Sequence, residues 1–190
     1  MVTNKHLRDA WQSNESKQLF KKRMIQWRKE PATVRLDKPL RLDRARAVGY
    51  KAKQGFVVVR QRVKRGGHKR PDIKAGRRSA HSHQRKNLSL NYRSIAERRA
   101  NEKFKNLTVL NSYFLCKDAI HEWFEIILVD PQHPSIKQDA NLKAMADKRG
   151  RVKRGLTNAG RRGRGMKKKG GGREKNFPSL GNKHNKGRGN

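Results

Sequence analysis

Acidic residues are scarce in this chain. Its 190 residues include 15 Asp and Glu against 50 Lys and Arg, so the formal net charge is +35 at pH 7. An excess of this size repels itself in the folded state, and it excludes a partner that is itself basic. A densely negative partner is favoured, because Lys and Arg side chains displace its bound counterions into solution. We therefore expect nucleic acid as the partner.

Cysteine and long apolar runs are missing as well. The single Cys116 cannot form an intrachain disulfide, which favours a reducing compartment and a cytoplasmic location. No apolar run exceeds four residues, as at 56–59 and 126–129, whereas about 20 are needed to cross a bilayer. The start of the chain also lacks the apolar segment of a secretory signal. We expect no membrane partner.

Catalytic motifs are absent too. Residues 163–168 lack the Gly-Lys-Ser/Thr turn of a phosphate-binding loop. His81 and His83, with His68 nearby, form the one group of imidazoles that could be offered to a metal, but no second cysteine or well-spaced carboxylate completes a site. We expect no metal, no cofactor, no small-molecule substrate and no enzymatic activity.

The positive charge is unevenly distributed. Residues 60–86 carry eleven Lys and Arg against one acid, and residues 148–190 carry sixteen against one, with eleven glycines. Between them, residues 107–130 hold one Lys and four acids, and fifteen of these 24 residues are apolar. This layout predicts a small folded body with long cationic arms.

The first half of the chain shows clear periodicity. Residues 3–29 have apolar side chains at helical spacing and predict one or two helices, with a break and cap at Ser13. Residues 43–48 predict a short helix that Gly49 ends, after an irregular link between two prolines. Residues 56–64 alternate with a period of two, which predicts a strand with valines on one face and Arg60, Arg62 and Lys64 on the other.

The second half of the chain alternates between segments predicted to pack in the body and a segment predicted not to pack. Residues 65–90 have too few apolar side chains to bury themselves and predict a basic loop or arm. Residues 92–104 predict a helix lying on a sheet, residues 107–117 and 121–129 an antiparallel hairpin, and residues 138–148 a short helix. The body is thus a small mixed sheet of three or four strands with helices packed on it.

The domain organisation follows from the same pattern. We expect one α+β body at residues 1–147, which includes the arm at 65–90, and a basic, Gly-rich C-terminal extension at 148–190. Glycine density and charge predict no packed structure in that extension.

Arginine and glycine residues next to each other in the chain are well suited to binding phosphate. Arg holds a phosphate with two parallel hydrogen bonds, Lys supplies a point charge, and glycine lets backbone amides approach closely. The predicted RNA-binding residues are Lys51, Lys53, Arg60, Arg62, Lys64, Arg65, Gly66, Gly67, His68, Lys69, Arg70, Arg77, Arg78, Arg85, Lys86, Arg154, Arg161, Arg162 and Arg164. A solvated cationic loop is the alternative for the central arm.

Aromatic residues have two possible roles. Tyr50, His68 and Tyr92 lie beside the basic runs, where they could stack on unpaired bases or belong to the core. Trp11 and Trp27, like Trp123, lie on apolar faces and are predicted to be core residues.

Four segments resemble one protein family. Residues 49–71 read GYKAKQGFVVVRQRVKRGGHKRP, residues 110–114 LNSYF, residues 124–131 FEIILVDP and residues 154–161 RGLTNAGR. In this order they resemble the L15e ribosomal proteins of archaea and eukaryotes. The glycine-rich end beyond residue 165 is less similar to the eukaryotic members, which favours an archaeal source.

The resemblance implies a structural role. Members of this family have a small antiparallel sheet with helices packed on it, and they are not enzymes. A structural constituent of the large ribosomal subunit is implied, with large-subunit rRNA and neighbouring ribosomal proteins as partners. It would bind folded rRNA through Lys and Arg contacts to phosphate, and recognise it by shape.

Two other classes remain open from the residues alone. A chromatin-compacting protein would also be small and cationic, but it would prefer duplex DNA and has no use for the apolar hairpin. An RNA-processing enzyme would need a convergent acid, base or metal site, and replacement of His81 and His83 should then abolish its turnover.

Replacing residues 148–190 with a neutral sequence is expected to weaken RNA binding and leave the body folded, because only six of these residues are apolar. Circular dichroism and RNA binding of the replaced protein measure the two effects. Loss of the circular-dichroism signature would contradict the division into body and extension.

Overall fold

The computed structural model describes residues 2–67, 72–76, 88, 90–148 and 150–166. These residues form seven helices and four strands. The helices are α1 (Val2–Gln12), α2 (Asn14–Lys29), α3 (Leu42–Ala47), α4 (Tyr92–Lys103), α5 (Pro134–Lys137), α6 (Ala140–Ala146) and α7 (Asn158–Gly163). The strands are β1 (Thr33–Leu36), β2 (Phe56–Lys64), β3 (Thr108–Lys117) and β4 (His121–Val129).

The four strands form one antiparallel sheet in the order β1-β2-β4-β3. The long strand β2 pairs with β4 along its whole length, from Phe56 opposite Val129 to Lys64 opposite His121. The chain reversal between β3 and β4 is the predicted hairpin. The α+β class is confirmed, and the sheet is antiparallel throughout, not mixed.

Three short elements, β1, α5 and α7, were not predicted. β1 lies in the link that the prolines suggested was irregular, and it has only four residues at the edge of the sheet, too few to show an alternation. α5 begins at Pro134, and proline is well suited to the first position of a helix. The helix predicted at 138–148 begins after Asp139, whose side chain caps α6 by accepting a hydrogen bond from the Leu142 amide at 3.4 Å.

One face of the sheet lies under α4. Val59 and Val63 from β2 and Ile126 from β4 pack there against Ala96 and Ala100, all of them buried. The two alanines let the helix approach the strands closely, since neither side chain extends beyond Cβ. The prediction of a helix lying on a sheet is confirmed.

The opposite face lies under the N-terminal helices. Trp11, Phe20, Trp27 and Trp123 form a continuous run, with successive ring centroids 4.5, 5.8 and 6.1 Å apart. Aromatic pairs at these separations add to the free energy of burial. This run fixes α1 and α2 to β4, and it confirms that all three tryptophans pack in the core, with Trp11 half-buried.

Residues 150–166 differ from the expectation that nothing beyond 148 is packed. Val152, Thr157 and Ala159 are buried, and α7 contacts α4 and β3. The glycines here serve close packing: a Cβ on Gly160 would lie 2.5 Å from the Gly155 Cα. A neutral replacement that tests the extension alone must therefore begin after residue 166. The domain division itself stays a prediction, because residues 167–190 lie outside the described ones.

No helix in the described ranges combines the length and apolar character needed to span a membrane. The longest of them, α2, has 16 residues and carries lysines along its exposed side.

Gly160→Ala is expected to destabilise the fold by about 1–3 kcal/mol, because the new methyl group overlaps the Gly155 backbone. Gly163→Ala in the same helix is the matched control. Its Cβ would meet only the Asn91 amide nitrogen, at 3.4 Å, and no backbone atom. Urea unfolding at fixed salt measures both variants. Equal stabilities would contradict the packing of Gly160 on Gly155.

Candidate nucleic-acid interface

Twelve of the nineteen predicted RNA-binding residues lie in the described part of the chain. Seven do not, and for these the prediction stays untested: His68, Lys69, Arg70, Arg77, Arg78, Arg85 and Lys86. His81 and His83 also lie outside it. Among the described residues, no group of three or more His, Cys, Asp or Glu is arranged to hold a metal ion.

Arg60 and Arg62 are on the predicted face of β2, but that face is covered by α2. The Arg60 side chain is only 7% exposed, pairs with Glu30, and lies 4.3 Å from the centre of the Trp27 ring. Arg62 Nη1 donates to the carbonyl oxygens of Trp27 and Arg28 in the last turn of α2, the first at 3.1 Å. Both guanidinium groups therefore hold α2 on the sheet, and Arg60 is not presented to an external phosphate.

Lys51 and Lys53 share one carboxylate. Lys51 Nζ lies 2.6 Å and Lys53 Nζ 3.4 Å from Asp139 Oδ2. Hydrogen bonding from Lys51, supported by the Leu142 amide and Lys53, lowers the pKa of Asp139 to about 2. The pair ties the loop before β2 to the start of α6, and Lys51 remains 58% exposed.

The start of the central arm is fixed by backbone contacts. Arg65 Nη1 donates to the carbonyl oxygens of Asp118 at 2.8 Å and Ala119 at 3.3 Å. The Gly66 amide donates to the Tyr92 hydroxyl at 2.7 Å. The arm therefore leaves beside the β3–β4 turn and the first residue of α4.

Tyr50 and Tyr92 fit the core alternative rather than base stacking. Tyr50 packs edge-on against Phe56, with ring centroids 5.7 Å apart. Tyr92 packs partly against the α4 side of the core, and its hydroxyl is held by Gly66.

The four predicted C-terminal arginines lie on α7 or next to it in the chain: Arg161 and Arg162 on the helix, Arg164 just after it, and Arg154 before it. Arg164 Nη1 donates to the Arg154 carbonyl oxygen at 3.4 Å. Arg161 and Arg162 are exposed in the last turn of α7. The structure therefore presents Arg161 and Arg162 on a packed helix.

A buried polar network holds α7 to the body. Glu97 of α4 is fully buried and accepts hydrogen bonds from the Ser112 and Thr157 hydroxyls. Arg93 Nε donates to Ser112 Oγ at 2.8 Å, and Arg151 Nη1 donates to the Val109 carbonyl oxygen at 2.8 Å. Burial raises the pKa of Glu97, while the two hydroxyls and both arginines oppose that rise.

A second buried carboxylate lies on the other face of the sheet. Glu125 accepts hydrogen bonds from the Tyr113 hydroxyl and from the Leu40 amide, the latter at 3.1 Å. Burial raises the pKa of Glu125, and the hydrogen bonds oppose that rise. Neither Glu97 nor Glu125 is exposed at the surface of the described part.

Five further acids form ion pairs within the described part of the chain. Asp118 pairs with Arg28, Asp43 with Arg41, Glu30 with Arg60, Glu122 with Arg65, and Asp139 with Lys51 and Lys53. The carboxylates thus neutralise cations that the fold needs. Many other Lys and Arg side chains are left facing outward.

The sequence analysis missed the exposed side of α1 and α2. Six cations there are exposed and pair with no carboxylate among the described residues: Lys5, Arg8, Lys17, Lys21, Lys22 and Lys29. Asp9 and Glu15 are the exposed acids of the two helices. The sequence contained the information needed to find this surface, because the α2 positions opposite the buried residues Phe20 and Trp27 are mostly lysine.

A cleft of about 520 Å³ opens between α3, the start of α4, β3, β4 and α7. Arg44, Arg93 and Arg162 line it together with Phe114. Of these four, only Arg162 was a predicted RNA-binding residue. The other three come together through the tertiary fold, because they lie on α3, α4 and β3.

The chain is similar to known proteins over most of its length. Residues 3–183 match the sequence model of a family described as ribosomal L15. The chain is 50% identical over 182 residues to the large ribosomal subunit protein eL15 of Methanocella arvoryzae. It is 47% identical over 181 residues to the large ribosomal subunit protein eL15 of Methanospirillum hungatei. Each match covers 92% of both chains.

Glu97→Gln is expected to remove one component of the pH dependence of stability. Because the pKa of Glu97 is raised in the folded state, its contribution is fully present below the unfolded value of about 4.5 and is lost as pH rises through the raised value. The stability difference, wild type minus variant, should therefore fall as pH rises above 4.5.

Urea unfolding at a series of pH values measures this difference. Glu102→Gln removes the same charge from the exposed end of α4 and controls for the loss of charge alone. A difference that rises with pH for Glu97→Gln would contradict the burial of this carboxylate.

Proposed function

Since the chain belongs to the ribosomal L15 family, as its sequence resemblance predicted, we propose that it is a structural constituent of the large ribosomal subunit. In this role it binds and stabilises folded large-subunit rRNA, lies beside other large-subunit proteins and has no catalytic activity. Its location is the cytoplasm, within the ribosome.

The division of charge between interior and surface carries this proposal. Of the fourteen described carboxylates, five pair with Lys or Arg and two more are buried, while the exposed sides of α1, α2 and α7 carry more Lys and Arg than acids. Such a surface attracts phosphates and gains free energy by releasing their counterions. A small acidic ligand would not need so wide a distribution of cations.

Three groups of cations are the proposed phosphate contacts of the described body. Lys64 and Arg65 lie at the start of the central arm, Arg161 and Arg162 on α7, and four lysines on α2. Arg can hold a phosphate through two hydrogen bonds, and Lys acts as a point charge. The residues beyond the described part would add to this binding through their charge.

Shape supplies the specificity in this proposal. The sheet and its helices form a body of fixed shape, stabilised by two apolar cores. Double-stranded RNA hides its base edges in a narrow groove, so a protein recognises it mainly by shape and backbone. The body would dock on a folded RNA surface, and the arms would neutralise phosphates between neighbouring helices of the RNA.

Replacing Lys17, Lys21, Lys22 and Lys29 of α2 with Gln is expected to weaken binding to large-subunit rRNA. The slope of log affinity against log salt concentration should become shallower by up to roughly three, because each lost phosphate contact removes about 0.7–0.9 from it. Filter binding of the full chain at several salt concentrations measures this slope.

The double variant Gln18→Ala and Gln26→Ala changes the same exposed helix without changing its charge, and it should keep the wild-type slope. An unchanged slope in the lysine variant would exclude α2 from the interface. Equal affinity of the wild type for duplex DNA and for structured rRNA would contradict the proposed function and favour the chromatin alternative.

A further inference from the structure

The cleft beside α7 combines a cationic wall with an open aromatic ring. Its volume of about 520 Å³ lies within the range of small-molecule sites, about 300–1,000 Å³. A single nucleotide fits such a space, whereas a double helix does not. The cleft is formed by elements far apart in the chain, from Arg44 on α3 to Arg162 on α7.

Three guanidinium groups converge on this cleft. Arg93 is held in place by bonds from Nε to Ser112 Oγ at 2.8 Å and from Nη2 to Asn111 Oδ1 at 3.1 Å. Burial lowers the pKa of Arg93, Glu97 opposes this, and the nearby charges of Arg162 and Arg44 lower it further. The three like charges therefore interact, and an anion between them would relieve their repulsion.

The carboxylates near the cleft are already engaged. Glu122 lies in its lining, but it is 3.7 Å from the guanidinium of Arg65. Glu97 interacts electrostatically with Arg93 and accepts hydrogen bonds from two hydroxyls. Within the described residues, Arg44 and Arg162 have no carboxylate partner. Their charges are thus available to a ligand.

Phe114 supplies the flat surface. Phe114 is 41% exposed, and it is the one aromatic residue among the large exposed apolar residues of the described part. It meets Phe124 at 5.9 Å with an interplanar angle of 72°. This edge-to-face contact with Phe124 positions the Phe114 ring. Asn158 also lines the cleft and can both donate to and accept from the edge of a base.

We propose that this cleft binds one unstacked nucleotide of the RNA, with its base against Phe114 and its phosphate beside Arg44 and Arg162. The inference rests on the proposed function, which supplies the RNA. It adds a site where a single-stranded base is read, beside a surface that recognises phosphates and shape. An acidic peptide would use the cations but has less need of a flat ring.

The test uses the full chain and deproteinised large-subunit rRNA. Phe114→Leu and Arg44→Gln are compared with the wild type by filter binding and by chemical mapping of the bound RNA with dimethyl sulfate and a carbodiimide, which together report on all four bases. Loss of a stacked base is expected to raise the Kd of Phe114→Leu by about 5- to 150-fold. Both variants should expose the same unpaired base that the wild type protects.

Two controls match the variants. Arg35→Gln removes one exposed positive charge on β1, and Ile120→Ala removes an exposed apolar side chain at the β3–β4 turn, both outside the lining of the cleft. Both controls should keep the protected base. Circular dichroism confirms that each variant is folded, and the arginine variant provides an independent test if Phe114→Leu is not.

The outcomes separate this inference from the proposed function. If the wild type binds the rRNA and neither cleft variant changes the protection of any base, the cleft does not hold a nucleotide, and the inference is wrong. It is also wrong if the controls lose the same protection as the cleft variants. If the wild type fails to bind the rRNA, the proposed function itself fails.

Discussion

Fifteen carboxylates share this chain with fifty Lys and Arg side chains, and seven of these carboxylates are ion-paired or buried in the described part. Glu30 and Asp118 neutralise cations where α2 meets the sheet, and Asp139 does so beside the first turn of α6. Glu97 and Glu125 are buried on opposite faces of the sheet, each within a hydrogen-bond network. A buried carboxylate needs such partners, because desolvation strongly disfavours its charge. The body thus has seven of its fourteen described carboxylates in ion pairs or in its interior, and many unpaired Lys and Arg side chains lie at its surface.

The local sequence was sufficient to predict those helices and strands whose pattern of apolar residues can be seen within the element itself. The alternation in β2 and the run of β3 and β4 predicted three of four strands, and the apolar stripe of α2 predicted its helix. Family resemblance added the antiparallel arrangement. β1 was not predicted, because four residues at the edge of a sheet are too few to show an alternation of apolar and polar side chains. Its strand conformation depends on pairing with β2.

The candidate site was harder to predict, because exposure depends on what covers each face. Arg60 lies on the predicted side of β2, yet α2 covers that side, and nothing within β2 indicates this. The glycine content around residues 155–160 suggested an unpacked tail. In the structure Gly155 and Gly160 permit a backbone contact that larger side chains would prevent. Arg44 and Arg93 carry no local motif, and only the tertiary fold brings them together at the cleft.

The co-sedimentation of the tagged chain with large ribosomal subunits, in its own cells and in a high-salt sucrose gradient, tests the central claim most directly. High salt removes proteins held only by screened charge contacts, but a body docked by shape among RNA helices stays bound. The account predicts that the chain remains with the large subunit. Its release to the top of the gradient at moderate salt would contradict a structural role within the subunit and would indicate a loosely bound cationic protein.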